Sequence, residues 1–274
     1  MTLEVGADAA RAALLAVYLK QLKLPTIARN YVQVARETRL ADKSHEEYLL
    51  TLLEAEVGQL EVSRQKLRLS NARFPIVKTL DTFDFGAVPS VGKTRVLELA
   101  RGGYIESKEN LILVGGTGAG KTHVATALGV AACLQGRRVR FIGATELANR
   151  LLEAHAENRV TALLAGFQRL DLVIVDELGF VPFSPTGSEL LFEFFSAAYE
   201  RQALAVTTNL PFTEWTSVFG NERLTAALLD RLTHRCHILE FQTGSFRLRQ
   251  SLRRQTTPGG AVDRPETHPS RSNE

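Results

Sequence analysis

The run Gly115-Gly116-Thr117-Gly118-Ala119-Gly120-Lys121-Thr122 satisfies the spacing G-x-x-x-x-G-K-[ST] in full. Glycines at these places let backbone N–H groups turn inward around phosphate oxygens, and a helix opening at the end of the run adds partial positive charge. Lys121 is then placed to neutralise the β- and γ-phosphates of a nucleoside triphosphate, and the Thr122 hydroxyl to ligate Mg²⁺. The flanks agree. An apolar strand, Asn110–Val114, leads in, and a helix is expected from Lys121 to Gln135 with Gly136 as its stop. His123 follows on that helix and is expected to pack or cap there. Upstream, Gly92-Lys93-Thr94 only imitates the motif: Ala87 stands where its first glycine is needed, and Asp81-Thr82-Phe83-Asp84 is no buried strand. It reads as a surface turn ahead of a helix.

Further along, the apolar run Leu172-Val173-Ile174-Val175 ends in Asp176-Glu177. Asp176, at a strand's C-terminal end, suits Mg²⁺, mostly through water, and Glu177 suits orienting or deprotonating a water that attacks the γ-phosphate. Such a pair is weak alone and strong after a complete phosphate loop, and it favours hydrolysis over binding only. A third run, Leu204–Thr207, ends in Thr208-Asn209. Asn209 could contact the attacking water or the γ-phosphate, or be an ordinary turn or cap residue; spacing alone leaves both open.

These side chains need elements to hold them. Residues 1–75 read as helices: Leu15, Tyr18, Leu19 and Leu22 repeat at helical spacing, and Pro25 suits the first turn of a second helix. Ser44 with Glu47 forms a capping box opening a third, with a stripe of Leu49, Leu52, Leu53, Val57 and Leu60. Phe74-Pro75 then breaks the pattern. From residue 79, short runs rich in Val, Ile and Leu alternate with helical stretches, completed by Val139–Ile142 and His237–Phe241. Their polarity does not alternate, so the strands are expected to be buried on both faces of a parallel sheet. The expected organisation is a small helical domain over 1–78, an α/β core over 79–255 and a disordered, Pro- and Gly-containing tail over 256–274.

Composition agrees with a sizeable core. The chain has 274 residues, 45% hydrophobic and 23% charged, which excludes collagen-like, disordered and mini-protein classes. Cys133 and Cys236 form no disulfide framework and fit a reducing cytoplasm. No run is long and apolar enough for a membrane span, and Ala12–Leu19 lacks the flanks of a signal peptide. A net charge of +3 permits an anionic partner without requiring one.

Taken in order, the phosphate loop, the Asp-Glu strand, Thr207-Thr208-Asn209 and the following Arg-bearing segment resemble the AAA+ ATPases. The closer resemblance is to the IstB-like transposition helper ATPases of insertion sequences, relatives of the bacterial helicase loaders. It is carried by Phe74-Pro75, Phe83-Asp84-Phe85, Gly116-Thr117-Gly118-Ala119-Gly120-Lys121-Thr122-His123 and Asp176-Glu177-Leu178-Gly179-Phe180. It continues through Glu189-Leu190-Leu191-Phe192, Thr207-Thr208-Asn209-Leu210-Pro211-Phe212, Glu214-Trp215 and Leu228-Leu229-Asp230-Arg231-Leu232. The resemblance spans roughly residues 40–254. It implies an AAA+ core without a C-terminal lid, ATP and Mg²⁺ as cofactors, Asn209 as the sensor 1 residue and Arg231 as an arginine finger acting on a neighbouring subunit. Arg223 and Arg235 are rivals for that finger, and Arg247, in Gly244-Ser245-Phe246-Arg247, would match the sensor 2 arginine.

The resemblance further implies ATP-dependent homo-oligomers that bind and remodel duplex DNA and present it to a partner transposase. Candidates for phosphate contact are Arg64, Lys66, Arg68 and Arg73, then Arg137, Arg138 and Arg140, with weak sequence preference because no base-reading motif is present. Alternatives are a replicative helicase loader on the same core, and an architectural DNA-binding protein that uses ATP only as an assembly clamp. His234-Arg235-Cys236-His237 matches no metal-site spacing and is expected to be structural, as are Phe192, Phe194 and Phe195 on one helix.

Overall fold

The computed structural model describes residues 2–242, with side chains from residue 10 onward. Arg247 and the segment 256–274 lie outside the described residues. Three helices come first: α1 (Thr2–Gln21), α2 (Pro25–Leu40) and α3 (His45–Ala72). Pro25 opens α2, where its missing N–H costs nothing. The Ser44/Glu47 capping box opens α3: Ser44 Oγ accepts from Glu47 N at 3.2 Å, and Glu47 Oε2 accepts from Ser44 N at 2.9 Å. Glu56 of α3 is buried, and its Oε2 accepts from both Thr26 N and Ile27 N at 2.8 Å. A carboxylate from α3 thus caps the positive end of the preceding helix, α2.

The helical spacing is right, but burial follows only part of it. Leu19, Ile27 and Leu52 form a small cluster with Leu24, Tyr31, Val34 and Tyr48 against it. Leu15, Tyr18 and Leu22, and Leu49, Leu53, Val57 and Leu60, are exposed. The main contacts run from α1 to α2 and from α2 to α3, around this one cluster, which leaves the rest of each stripe uncovered. The end of α3 behaves differently. Ala72 is fully buried and Leu69 packs with it in the main core, so one helix runs from the N-terminal cluster into the α/β body. It stops at Arg73 in the left-handed conformation, φ 56°.

The body consists of α4 (Lys93–Leu99), α5 (Gly103–Glu106), β1 (Asn110–Gly115), α6 (Lys121–Leu134) and β2 (Val139–Gly143). There follow α7 (Ala144–Ala156), α8 (Val160–Phe167), β3 (Leu172–Leu178), α9 (Pro185–Ala198) and β4 (Ala203–Thr208). The series ends with α10 (Trp215–Phe219), α11 (Glu222–Thr233) and β5 (Cys236–Phe241). The strands form one sheet in the order β2-β3-β4-β1-β5, every pair parallel.

Two cores cover the two faces, and β3 shows why. Leu172 and Ile174 enter one cluster, with residues of α4 and α6, while Val173 and Val175 enter the other, with residues of α7, α9, α10 and α11. Period-two alternation of uniformly apolar residues buries both faces, as the sequence predicts. Phe194 and Phe195 are core residues of the second cluster. Gly92 turns at φ 69° into α4, so Gly92-Lys93-Thr94 is a turn before a helix.

Candidate nucleotide site

In an open parallel sheet, ligands bind beyond the C-terminal strand ends where the order of connections reverses. Here β1 is followed in sequence by β2, on the far side of β4 and β3. The loop 115–120 connects β1 to α6 at that point. Gly120, at φ 102°, closes it, and a Cβ there would stand 2.8 Å from the Phe83 ring. Gly115, at φ 149°, lies so close to β5 that a Cβ would meet Phe241 O at 2.5 Å. Neither position admits another residue without moving its neighbour.

Lys121, in the first turn of α6, is buried and donates from Nζ to Gly115 O at 2.6 Å and Gly116 O at 2.9 Å. Its ammonium is thus already folded over the loop. Thr122 Oγ1 donates to the Asp176 carboxylate, 3.0 Å from Oδ1 and 3.2 Å from Oδ2. Asp176 is buried, and Thr207 of β4 donates to its Oδ1 at 2.6 Å.

Strand β3 runs beyond the Val175 expected from its apolar run, reaching Leu178 through a register irregularity between Val175 and Leu178. At this bulge Glu177 takes φ 60°, outside the region a side-chain-bearing residue prefers. Its N–H donates to Thr207 Oγ1 at 2.9 Å, and its side chain is exposed rather than buried beside Asp176. The bulge separates the two carboxylates: Asp176 faces Thr122 across the sheet edge, and Glu177 reaches the solvent-filled space. Backbone strain held by neighbours at such a position is a recurrent mark of a working site.

That space is a cavity of about 420 Å³. Its walls include Lys121, Thr122, Glu177, Thr207 and Asn209, so five side chains from α6, β3 and the end of β4 converge. His123 also lines it; Nε2 lies 3.0 Å from Thr79 O and 3.2 Å from Thr82 Oγ1, and the ring meets Phe83 edge-on at 5.2 Å. Burial holds its pKa below the ordinary value, against the bond to Thr79 O. Sequence reasoning missed Thr207, Lys78, Thr82 and Phe180, which share these walls. Thr207 had a signal, the doubled threonine before Asn209, and Phe180 lies three residues after Glu177; Lys78 and Thr82 come from a segment that only folding brings near.

Among the described residues no three His, Cys, Asp or Glu side chains could hold a metal ion together. A hydroxyl and one buried carboxylate within 3.0 Å do fit Mg²⁺ arriving with a triphosphate, since this ion keeps most of its waters and needs few protein ligands.

The expected trans-acting arginine lies elsewhere. Arg231, in the last turn of α11, sits over the Phe192 ring, 4.6 Å from the centroid, and donates to Ala227 O at 3.3 Å. It rests on an aromatic face and enters no ion pair among the described residues. Arg223 is exposed in the first turn of α11, and Arg235 pairs with Glu109 at 3.3 Å. His237 also reaches Glu109, at 2.8 Å, and His234 meets Tyr199 at 3.1 Å, so that histidine-rich segment is structural.

The basic candidates separate. Arg64 and Lys66 are exposed on α3. Arg68 turns inward, donating to Cys133 O at 2.9 Å and Glu61 at 2.6 Å, and ties α3 to α6. Arg137 pairs with Glu106, Arg138 with Asp171, and Arg140 donates to Asn71 O at 3.3 Å.

Comparison with known proteins gives this site its context. The family model described as IstB-like ATP binding protein matches residues 17–254. An insertion sequence IS5376 ATP-binding protein of Geobacillus stearothermophilus is 34% identical over 233 residues, 85% of this chain and 93% of that protein. An insertion sequence IS21 ATP-binding protein of Pseudomonas aeruginosa is 34% identical over 249 residues, 89% and 94% of the two chains. Among solved structures, AMPPCP-bound DnaA from Aquifex aeolicus matches with a TM-score of 0.53 at 21% identity, over 66% of this chain and 56% of that one. Domain III of the Thermotoga maritima replication initiation protein DnaA gives 0.51 at 19% identity, over 65% and 72%. These neighbours share the AAA+ fold. With its phosphate loop, its Asp176-Glu177 strand end and a family match across most of its length, the chain belongs to the IstB-like ATP-binding proteins of insertion sequences.

Proposed function

We propose that this protein is an ATP-dependent transposition helper that hydrolyses ATP at interfaces between its own copies, assembled on duplex DNA, and there remodels the DNA and recruits or stimulates a partner transposase. The observation that carries the ATPase half is the convergence of Lys121, Thr122 and Glu177 on one cavity, with Asp176 held against Thr122 behind its wall and the two carboxylates turned apart by the bulge. The insertion-sequence relatives support the transposition half.

In this reading the loop 115–120 and Lys121 bind the triphosphate. Thr122 and Asp176 would hold Mg²⁺, which supplies charge neutralisation on the β- and γ-phosphates. Glu177 orients a water and accepts its proton as the water oxygen attacks the γ-phosphorus; the bond to the β–γ bridging oxygen breaks, giving ADP and phosphate. Asn209 holds the water or the γ-phosphate from the neighbouring strand. Arg231 of one copy reaches the γ-phosphate of the next, leaving its seat on Phe192, so transition-state charge is neutralised only on assembly. Arg247 is the sensor 2 candidate. Residues 1–78 contribute contacts to DNA or partner, joined by arginines of the body, and 79–255 form the ATPase unit.

The test is steady-state phosphate release with and without duplex DNA, alongside co-purification with the transposase encoded in the same insertion sequence. DNA-stimulated release and capture of the transposase are expected. Negligible turnover under both conditions leaves the clamp alternative, and capture of a replicative helicase instead leaves the loader.

A further inference from the structure

A second, open cavity of about 690 Å³ shares no lining residue with the candidate nucleotide site. It is bordered by the last turn of α3, the start of β2, α7 and the α8–β3 connection. Because the strands are parallel, the start of β2 and the loop after β1 lie at opposite ends of the sheet. Arg68, Arg73, Arg138, Arg140, Arg150 and Arg169 line this cleft, and among the described residues no aspartate or glutamate does.

The six divide by what holds them. Arg68, Arg138 and Arg150 are fixed from behind, by Glu61, Asp171 and Glu146 at 2.6, 3.2 and 2.6 Å. Arg73 and Arg169 are exposed and enter no ion pair among the described residues. Arg140 is half-buried between them, its pKa held below the ordinary value by burial and by the nearby charges of Arg73 and Arg150. Gathering six like charges in one concavity, three of them outside any ion pair among the described residues, costs free energy in the unliganded protein, and an anion relieves it. The planar guanidinium suits phosphate oxygens in particular.

We propose that this cleft seats the sugar–phosphate backbone of duplex DNA, with Arg73, Arg140 and Arg169 on the phosphates. The inference rests on the reading that the protein assembles on DNA, and adds to it the place and two arginines, Arg150 and Arg169, that sequence did not single out. The cleft's only aromatic residue, Phe167, is buried in the core, so there is no platform for unstacked bases; this favours a duplex over a single strand. With six arginines and only Ser70 and Asn71 as further polar lining, phosphate contacts dominate, and binding is of low sequence preference. Because the two sites lie at opposite ends of the sheet, one copy can hold nucleotide and DNA together.

The experiment is fluorescence anisotropy of a labelled duplex with the full chain and a non-hydrolysable ATP analogue, over a salt series. Arg73→Asn, chosen because asparagine tolerates the φ 56° cap, is combined with Arg169→Gln. The pair is expected to weaken binding and lower the slope of log K against log salt by about two, close to one per lost phosphate contact. Arg73→Lys with Arg169→Lys should keep the slope. Arg95→Gln, on α4 beside Cys236 at the opposite edge of the sheet, should keep it as well. Arg169→Gln alone should lower it by about one, which decides the matter if the pair folds poorly. A slope and affinity equal to wild type in the Arg169 variant and the pair would overturn the cleft while leaving DNA binding intact. A wild-type chain that binds no duplex with nucleotide would instead overturn the DNA reading itself, and an equal preference for single strands would remove the duplex assignment.

Discussion

Thr207 Oγ1 of β4 donates its proton to Asp176 Oδ1 at 2.6 Å and itself accepts the Glu177 N–H at 2.9 Å. One side chain thereby fixes the orientation of the Asp176 carboxylate and the strained backbone that turns Glu177 toward the cavity. Thr207→Val keeps the shape and loses both bonds. Turnover is expected to fall about 10- to 100-fold, with a raised Mg²⁺ requirement and little change in nucleotide affinity. Thr207→Ser should retain most of the rate. Phosphate release across a Mg²⁺ titration checks both.

Lys121 and Glu177 should separate binding from chemistry. Lys121→Ala removes the ammonium folded over the loop and is expected to abolish nucleotide binding, measured with a fluorescent ATP analogue. Glu177→Gln keeps the shape but not the base; binding should persist while turnover drops about 10²- to 10⁴-fold.

Arg231→Ala should leave nucleotide binding unchanged within error and remove the DNA-stimulated part of turnover, a loss on the order of a thousandfold in the assembled state. Arg223→Ala and Arg235→Ala are the comparators. Normal stimulated turnover in the Arg231 variant, with loss in either comparator, would move the finger to that residue.

Glu56→Ala strips the cap from α2, leaving the buried N–H groups of Thr26 and Ile27 without an acceptor. Destabilisation of about 2–4 kcal/mol is expected, read by urea denaturation followed by circular dichroism. The effect should appear in the helical signal without altering the nucleotide site of a folded molecule.

Asp171 gives the acid limb of stability a named contributor. Burial alone would raise its pKa, but the Arg138 side chain and backbone N–H outweigh it, and the value lies below the ordinary 3.8. A depressed carboxylate stabilises the fold above its unfolded pKa, and that contribution is lost as pH falls through the folded value. Melting temperature should therefore drop on acidification below 3.8 less steeply in Asp171→Asn than in wild type.

Much of the nucleotide site was legible because its chemistry is written in contiguous residues. The loop 115–122 makes its own turn from glycines, and an apolar run ending in Asp176-Glu177 must end at a sheet edge. The five strands were readable for the same reason, their limits shifting by a few residues. The Ser44/Glu47 box was local too. Other features were not local. The carboxylate cap from Glu56 joins positions 30 residues apart in sequence, and Arg68 spends itself on Cys133 O across 65. The stripes of α1 and α3 stated which face is apolar but not whether anything covers it.

The amino-acid order by itself determined a phosphate-binding turn, two carboxylates after an apolar strand and the parallel sheet to carry them, since each follows from neighbours in the chain. Tertiary structure decided the rest: that a bulge turns Glu177 away from Asp176, that Thr207 governs both, that Arg231 rests on Phe192, and that six arginines from five elements or connections face one cleft. The reason is range. Backbone preference and periodicity act over a few residues, whereas strain, burial and the meeting of like charges exist only once distant segments share a surface.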